Sequence, residues 1–554
     1  MRTKFLVCFS LFCVGSYTTI KAQAININDS LALVDLYNST NGHQWTNSSN
    51  WLTPFPVRTW YGVTVTDNRV TELNLYPNNL QGYIPASIGN IGNLKKLQLR
   101  ENKLTGEIPQ SISRLHFLQS LDLTENELNG QIPDSLGYIA NLVVLSLPNN
   151  HLSGAIPSSL SYLYYLQWLD LSHNDLTGSI PAALGNLASI GNIYIDYNQL
   201  SDSIPSLLGN LVHLSSLHLS NNKLTGAIPE ALGNLINLAV LDLSNNKLTG
   251  PIPSSVGKFG VILYLRLNDN QLTGAIPSTI GNMQHIVGLY LQNNRLSAHI
   301  PSTIGNLKTL GYLYLNNNQL TGNIPASFKN LGTTYISLSN NKLFENNNFV
   351  FKDYPVHSYS GGDVSYNRFN FNGLEFLAVK YPLINYSAQA NLSIHNHETT
   401  LSLNAGGTLK NNTYTWFRLG SSETKVIKGD SVFQPTQNGK YYAQVTNSVA
   451  SKLILYTDTI NYIMQLAAQD LSFNMMTLKK ADSEFIAYPN PARNIIKVRT
   501  SKSAIITLTN CEGKILLIKT INDNGTIDVG SLANGIYYMK NSLTGKTCKV
   551  IVEH

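Results

Sequence analysis

LAVLDLSNNKLTGPIP, from Leu238 to Pro253, is one copy of a phrase that returns from about Val70 to Leu343. Its second asparagine recurs every 24 residues, with one interval of 23 before the last copy. Repeats of this regularity stack into a solenoid, in which each unit packs only against its neighbours. A solenoid presents a long surface, so we expect the function to lie there rather than in one pocket. The recurring residues are Asn78, Asn102, Asn126, Asn150, Asn174, Asn198, Asn222, Asn246, Asn270, Asn294, Asn318 and Asn341.

The first half of each unit predicts a short strand. Leu238, Leu241 and Leu243 follow the pattern LxxLxLxxN, in which the last two leucines alternate with polar positions. Such alternation indicates a strand with its leucines turned inward. Asn246 lies where the chain turns, and its amide can both donate to and accept from main-chain groups of adjacent coils. We therefore expect a ladder of asparagine hydrogen bonds along the interior edge.

The second half of each unit predicts a bend and a short turn. Leu248 is expected in the core, Gly250 permits a tight bend, and Pro253 prevents a regular helix from starting early. The following segment, for example IGNL at residues 304–307, predicts a short helical or 3₁₀ turn. Asp202 and Ala298 replace the glycine in two units, where we expect the bend to be altered but retained.

The repeat resembles the 24-residue, plant-type class of leucine-rich repeat, with its LxGxIP phrase, over about twelve units in residues 70–343. The resemblance implies a curved solenoid with a parallel sheet on its concave face and short helical or 3₁₀ turns on its convex side. Two small β-sandwich domains are expected to follow it.

Both ends of the array are predicted to be capped, because an exposed apolar end would aggregate. Residues 25–69 form the expected N-terminal cap, with Trp45, Trp51 and Trp60 covering the first coil. The stretch TWYGVTV resembles the plant cap with its CxWxGVxC motif. Arg58 and Val65 stand at the two cysteine positions, so the disulfide of that cap is absent. At the other end, VSYNRFNF around Asn367 indicates a degenerate repeat and cap in residues 344–380.

Residues 1–24 read as a secretory signal peptide. Arg2 and Lys4 precede a short apolar run, and small residues at Ala22 and Ala24 suit cleavage. The run is too short for a membrane anchor, which needs about 20 apolar residues. No later segment is long and apolar enough to span a membrane. The predicted mature chain has only two cysteines and is not a disulfide scaffold; whether Cys511 and Cys548 pair stays open.

Alternating stretches predict a β-sandwich in residues 381–465: TYTWFRLG, GKYYAQVTN and KLILYTDTI. Trp416 with Tyr441 and Tyr442 resembles the core of immunoglobulin-like modules of bacterial surface proteins, without their usual cysteine pair. These aromatic side chains are expected to pack in that core. Residues 466–482 read as a linker.

The last segment, residues 483–554, resembles the C-terminal sorting domain of the type IX secretion system of Bacteroidetes, with FIAYPNPARNIIKV, GKILL, LANGIYYMKN and KTCKVIVEH in order. The resemblance implies passage through the outer membrane of a Gram-negative cell, removal of this domain, and release or attachment to surface glycolipid. Another immunoglobulin-like adhesion module is the alternative. The residues that carry the resemblance are Tyr488, Pro489, Asn490 and Pro491 at the first strand, Gly513 in a turn, and Gly535 and Tyr537 before the last strands.

Side chains between and beside the inward leucines are expected on the concave face. Aromatic residues occur at these positions on adjoining coils. Because neighbouring strands lie about 4.8 Å apart, we expect them to form two continuous patches. Tyrosine, tryptophan and arginine are favoured at binding surfaces. We predict ligand binding by Trp168, Tyr194, Tyr197, His218, Tyr264, Arg266, Tyr290, Tyr312 and Tyr314, with His218 between the patches.

Alternative explanations of these patterns stay open. Strands favour tyrosine in any protein, and the turn-side residues Tyr162, Tyr164 and Tyr165 are expected to pack. A threonine column beginning at Thr105 suggests ice binding, but it is broken by other residues. Three aspartates share one outward column, yet the LDLS phrase explains them better than glycoside hydrolysis does. These residues are Asp122, Asp170 and Asp242.

The sequence predicts a secreted or surface-displayed protein that binds a protein or glycan and is not an enzyme. Only 13% of its residues are charged and its net charge is +6, without the basic stripe that nucleic-acid binding needs. Motifs for catalysis, cofactors or metals are not found. The secretion machinery is a predicted partner through the C-terminal domain. The alternative function, taken from plant proteins with this repeat, is inhibition of a secreted polysaccharide-degrading enzyme.

Overall fold

The structure is a computed structural model that describes residues 25–332, 335–344, 361–381, 383–464, 485–488, 490, 492–500, 502–510, 513–522 and 524–554. The predicted signal peptide and linker lie outside the described residues, as do Pro489, Pro491 and Cys511. The chain forms two compact units, Met1–Met464 and Gln465–His554.

A 15-stranded sheet runs the length of the solenoid, from Val63 to Asn385, and each coil contributes a strand to it. All neighbours are parallel except the first two strands. The register pairs each inward apolar residue with its counterpart one coil on, as Leu169 with Ile193 and Ile193 with Leu217. The strands are Val63–Thr66, Arg69–Asn74, Lys96–Gln98, Ser120–Asp122, Val144–Ser146, Trp168–Asp170, Asn192–Tyr194, Ser216–His218, Val240–Asp242, Tyr264–Arg266, Gly288–Tyr290, Tyr312–Tyr314, Tyr335–Ser337, Gly361–Asp363 and Ile384–Asn385.

The predicted turns on the convex side are 3₁₀ helices, each with a proline immediately before it. Between the strands and these turns the leucines and isoleucines of all coils pack into one continuous core. The structure therefore confirms the predicted solenoid. The 3₁₀ helices of the coils are Ala86–Asn90, Gln110–Arg114, Asp134–Tyr138, Ser158–Tyr162, Ala182–Asn186, Ser206–Asn210, Glu230–Asn234, Ser254–Lys258, Ser278–Asn282, Ser302–Asn306 and Ala326–Asn330.

A second parallel sheet, which the sequence did not predict, follows the asparagine turns in the N-terminal coils. It forms where the LTG phrases of adjacent coils pair. Two shorter ladders of the same kind occur further on. The five strands of the sheet are Gln81–Tyr83, Lys103–Gly106, Glu127–Gln131, His151–Ala155 and Asp175–Thr177, and the shorter pairs are Thr273–Gly274 with Arg295–Leu296 and Thr321–Gly322 with Lys342–Leu343.

The glycine of the LTG phrase lies in the left-handed region of the backbone. Gly250 has a φ of 75°, which costs glycine little because it has no Cβ. Asp202 and Ala298, which replace the glycine, keep the same conformation with φ values of 65° and 64°. The bend is therefore retained at both positions, against the steric preference of the residue.

The recurring asparagines join adjacent coils from Asn102 to Asn341. Asn222 shows the pattern: its Oδ1 accepts a hydrogen bond from the Leu200 N–H at 2.9 Å, and its Nδ2 donates to the Ile195 carbonyl at 3.0 Å. Asn78 instead binds the cap, where the main chain of Asn47 both donates to it and accepts from it.

The N-terminal cap is built on a helix that the sequence did not predict, α1 (Ile27–Ser39), together with the 3₁₀ turns Gly42–Gln44 and Val57–Thr59. Asp29 on this helix is fully buried and accepts hydrogen bonds from the Arg69 guanidinium at 2.9 and 3.0 Å and from the Val70 N–H. The three predicted tryptophans are buried against one another, with neighbouring centroids 4.8 and 4.9 Å apart.

The solenoid sheet ends later than predicted. Asn367 continues the asparagine ladder, and Gln389 occupies the next position, where its Oε1 accepts from the Asn367 N–H. The strand Ile384–Asn385 pairs with Gly361–Asp363, so the sheet passes the predicted boundary at residue 381. A second helix, α2 (Phe371–Lys380), lies between these two strands.

The following residues, 392–464, form a small antiparallel module that we call the β module. It packs directly on α2, because Glu375 accepts hydrogen bonds from Thr408, Asn411 and Asn447. Its core is continuous with that of the solenoid. One sheet contains Ile394–His397, Thr400–Leu403 and Val432–Phe433; the other contains Thr424–Lys428, Asn412–Arg418, Gly439–Asn447, Ile454–Tyr456 and Ile460–Tyr462, and a 3₁₀ turn spans Leu409–Asn411.

Trp416 and Tyr441 lie in the core of the β module, 1% and 4% exposed, as the sequence predicts. The ring of Phe433 on the other sheet is 5.1 Å from that of Trp416. Tyr442 corrects the prediction: its ring stacks on Phe417 at 4.8 Å, on the opposite face of its sheet. The alternation of a strand sends neighbours to opposite faces, so the two tyrosines cannot share one core.

The second unit has two antiparallel sheets and a core of its own. The side chain of Asn490 donates to the Lys549 carbonyl and accepts from the Ile551 N–H, which fixes it to the last strand. Gly513 lies in a turn with a φ of 83°, and Tyr537 donates to the Ala533 carbonyl at 2.7 Å. The strands are Phe485–Tyr488, Ile495–Thr500 and Asn524–Asp528 in one sheet, and Ile515–Ile521, Ala504–Asn510, Gly535–Asn541 and Thr547–Val552 in the other. Gly535 and Tyr537 thus lie within the penultimate strand and not before it.

Candidate ligand-binding face

The concave face is built from the outer residues of each three-residue strand, because the middle residue is buried in the core. The in-register pairing places the third residue of each strand beside the third residue of the next. One continuous row results, which we call the central row. It consists of Asp170, Tyr194, His218, Asp242, Arg266, Tyr290 and Tyr314.

Aromatic contacts occupy both ends of the central row. At one end the ring centroid of Trp168, which is 36% exposed, lies 5.0 Å from that of Tyr194. The Tyr194 centroid lies 4.7 Å from that of His218. At the other end Tyr290 stacks on Tyr314 with centroids 5.2 Å apart. Tyr335, which the sequence analysis missed, extends this stack by one coil at 5.3 Å from Tyr314.

Asp242 and Arg266 connect the two aromatic ends. The Arg266 guanidinium is 3.8 Å from the Asp242 carboxylate, and it lies 5.0 Å and 5.4 Å from the ring centroids of Tyr264 and Tyr290. The predicted patches are therefore parts of one surface. The sequence assigned Asp242 only to the LDLS phrase, and it does accept hydrogen bonds from the Ser244 N–H and hydroxyl. Its second carboxylate oxygen faces Arg266.

Gly288 makes room for the tyrosines on this face. A Cβ at this position would be 2.5 Å from the Tyr290 ring and 2.9 Å from the Tyr264 ring. Any side chain would displace both rings, since real contacts to a Cβ are longer. The sequence signal for this crowding was the glycine itself, because a glycine inside a strand often marks a place where another group approaches the backbone closely.

The acidic groups near Trp168 are partly desolvated. Burial, with the nearby Asp170 and Asp242 carboxylates, raises the pKa of Asp196 to about 6. Burial also raises the pKa of Asp170 and lowers the pKa of His218. His218 is therefore held toward its neutral form, in which one ring nitrogen donates and the other accepts.

A second row of polar side chains borders the face at the turn after each strand. Its members have left-handed backbones and exchange amide hydrogen bonds from coil to coil. The Nδ2 to oxygen distances are 2.6 Å for Asn293 to Asp269, 2.6 Å for Asn317 to Asn293 and 2.7 Å for Asn340 to Asn317. We call these four residues the rim ladder. The sequence analysis missed it, although the first asparagine of each NN pair was visible.

Tyr197 belongs to this turn region rather than to the central row. Its ring stacks on His173 with centroids 4.1 Å apart, and it is 49% exposed. Tyr312, also predicted, is 42% exposed beside the central row. The turn-side residues Tyr162, Tyr164 and Tyr165 are 50%, 58% and 63% exposed, which corrects the expectation that they pack.

Beyond the aromatic stack the concave face continues into an open depression of about 470 Å³ at the last coils of the solenoid. Polar side chains line it, among them Asn317, Asp363 and Tyr366. Within the described part of the chain, no group of three or more histidine, cysteine or acidic residues is placed to hold a metal ion. In the same residues no helix has the length and apolar character needed to cross a membrane.

Family comparisons agree with this architecture. Residues 67–206 match a model described as leucine-rich repeat region, residues 212–272 and 284–343 match a second leucine-rich repeat model, and residues 262–283 match a third. Residues 486–553 match the secretion system C-terminal sorting domain. No curated protein matches the chain significantly.

Solved plant receptor ectodomains are similar to the solenoid. One is the leucine-rich repeat ectodomain of the membrane receptor kinase GASSHO1/SCHENGEN3 from Arabidopsis thaliana, in complex with Casparian strip integrity factor 2. It is 32% identical, with a TM-score of 0.57 over 66% of this chain and 47% of that chain. Another is the ectodomain of the Arabidopsis receptor kinase HAESA, in complex with an extended IDA peptide hormone. It is 31% identical, with a TM-score of 0.55 over 66% of this chain and 61% of that chain. This chain therefore spans less than two thirds of both receptor chains.

Proposed function

We propose that this leucine-rich repeat protein, which carries a type IX secretion C-terminal sorting domain, is a surface-displayed or secreted recognition protein that binds an extended segment of a protein. The central row is the observation that supports this function most. It runs unbroken across seven coils and combines aromatic, cationic and acidic side chains that remain accessible on one face. Tyrosine, tryptophan and arginine are the side chains that most often dominate binding energy.

The dimensions of the central row suit a short extended peptide. Six steps between neighbouring strands, each about 4.8 Å, give a row about 29 Å long. An extended chain rises about 3.3 Å per residue, so roughly nine residues would cover the row. The rim ladder borders the last three coils of the central row and one coil beyond it, and the amides of its asparagines can both donate to and accept from a peptide main chain.

The comparisons support a peptide over a glycan. Both similar plant ectodomains were solved with a peptide or protein factor bound. The matched families and these ectodomains are binding modules and not enzymes, and we propose no catalytic role for the concave face. A glycan could stack on the same rings and is the alternative ligand class. The glycan array distinguishes it from a peptide.

The test uses the full secreted protein against a displayed library of random twelve-residue peptides and, in parallel, a glycan array. The test variant is the double substitution Tyr290→Ala/Tyr314→Ala, which removes the stack without touching the core. The matched control is Tyr164→Ala/Tyr165→Ala, a more exposed tyrosine pair on the turn side. We expect selected peptides to lose affinity by about tenfold or more in the test variant only.

Two results would overturn the proposal. Equal affinity of the test and wild-type proteins for the selected peptides would remove the central row as the binding site. Binding to the glycan array alone, lost in the test variant, would keep the site and change its ligand class to a glycan.

We also propose that the β module is immunoglobulin-like. Two antiparallel sheets face each other across Trp416, and the Tyr441 hydroxyl donates to the Gln437 carbonyl four residues earlier. Both features are typical of that fold. Because the module is fixed to α2 by Glu375, we propose that it holds the last coils rigidly and is not a loose spacer. The sorting domain favours a Gram-negative source of the Bacteroidetes type.

A further inference from the structure

The β module contains a cavity of about 500 Å³ between its two sheets. The volume lies in the range of pockets that bind small molecules. Trp416, Phe433 and Tyr441 form its apolar walls, and Arg418 and Lys425 reach it from the larger sheet. This site is separate from the concave face and does not depend on the function proposed for that face.

The strand register places two cations on the inward side of the larger sheet. Trp416 pairs with Lys425, and Arg418 pairs with Tyr441, and directly paired residues share one face. The inward faces of a sandwich are ordinarily apolar. Arg418 and Lys425 have no ion-pair partner within 4.0 Å among the described residues.

The indole N–H of Trp416 supplies a second, independent observation. Trp416 is 1% exposed and lines the cavity, yet its Nε1 has no hydrogen-bond acceptor in the described part of the chain. A buried donor without an acceptor costs free energy comparable to a lost hydrogen bond. The cavity therefore presents two groups that only donate, Arg418 and Lys425, and the unpaired Trp416 N–H lies buried behind its wall.

We propose that this cavity binds an acidic monosaccharide unit, such as a hexuronate. Its carboxylate would bind the Arg418 and Lys425 cations, since charge-assisted hydrogen bonds are the strong ones. The sugar ring would pack against the apolar walls formed by Trp416, Phe433 and Tyr441. The remaining hydroxyls suit Gln434 and Glu423 at the mouth of the cavity, because these side chains supply acceptors.

The experiment observes the indole N–H of Trp416 by ¹⁵N NMR in the full protein, during titration with galacturonate and glucuronate. The protein has five tryptophans, so the resonance is assigned by its loss in Trp416→Phe. We expect saturable movement of this resonance with a uronate. Neutral galactose and glucose, and acetate, should bind about tenfold more weakly or worse.

Charge variants decide the proposal even if Trp416→Phe fails to fold. Arg418→Gln and Lys425→Gln should each weaken uronate binding by about tenfold or more. Lys428→Gln is the matched control, because Lys428 is on the same strand but pairs with Thr413 on the outward face. Three outcomes would overturn the proposal: no movement of the Trp416 resonance with either uronate, equal binding of acetate, or an equal loss in Lys428→Gln.

Discussion

Asn222→Ala tests how much one rung of the asparagine ladder stabilises the solenoid. The substitution leaves the Leu200 N–H without its acceptor and removes the Nδ2 donor from the carbonyls of Ile195, Leu219 and Ser220. A buried N–H without a partner costs about 1 to 3 kcal/mol, and each lost carbonyl bond costs less. Since an amide has only two donor hydrogens, we expect a total loss of about 3 kcal/mol in the free energy of unfolding.

Hydrogen exchange gives this prediction a local measurement, because repeat proteins can unfold coil by coil. The Leu200 amide should exchange about a hundredfold faster in the variant, which corresponds to about 3 kcal/mol. Urea unfolding followed by tryptophan fluorescence gives the global value. Asn210→Ala, in the preceding turn at an exposed position, is the control and should change stability by less than about 0.5 kcal/mol. Equal effects of the two substitutions would refute the view that the ladder holds the coils together.

Three further predictions follow from particular sites. Ala298→Gly should stabilise the protein by about 0.5 to 1 kcal/mol, because it relieves the strain of a left-handed alanine at some cost in unfolded-state entropy. The control is Ala275→Gly, where φ is not positive and no stabilisation is expected. Equal effects of the two substitutions would show that Ala298 is not strained. The pKa of Asp196 is raised to about 6 from 3.8, so its ionisation opposes folding above about pH 6 and not below about pH 4. Asp196→Asn should therefore raise the melting temperature at about pH 7.5, and the gain should disappear toward about pH 4; a gain that persists at low pH would exclude this cause. Deleting residues 483–554 should retain the protein inside the outer membrane, measured by cell fractionation, whereas normal export would refute the sorting role.

The docking of the β module changes how the first unit can move. Glu375 accepts hydrogen bonds from three residues of the module, and those bonds lower its pKa against the opposing effect of burial. The solenoid and the module also share one apolar core. A ligand bound near the last coils would therefore contact a surface whose position relative to the module is fixed.

The repeat class, the inward leucines and the sorting domain could all be read from the sequence. The reason is that contacts in a solenoid join residues one period apart, as the Asn222 amide joins Leu200, so a local phrase repeated every 24 residues already contains the tertiary contact. The tight bend at Gly250 was predictable from the repeated glycine, while the same left-handed backbone at Asp202 and Ala298 shows that the stacked coils also impose it.

The composition of the binding face needed the tertiary structure. Asp242 and Arg266 unite two apparent patches only because the inter-coil register places them side by side, and the ring of Tyr290 lies where it does because Gly288 leaves space. The docking of the β module depends on contacts with no period, such as that of Glu375 with Asn447, 72 residues apart. Periodic contacts are encoded locally and can be predicted from the repeat, whereas these depend on how distant, non-repeating segments pack, which only the folded chain determines.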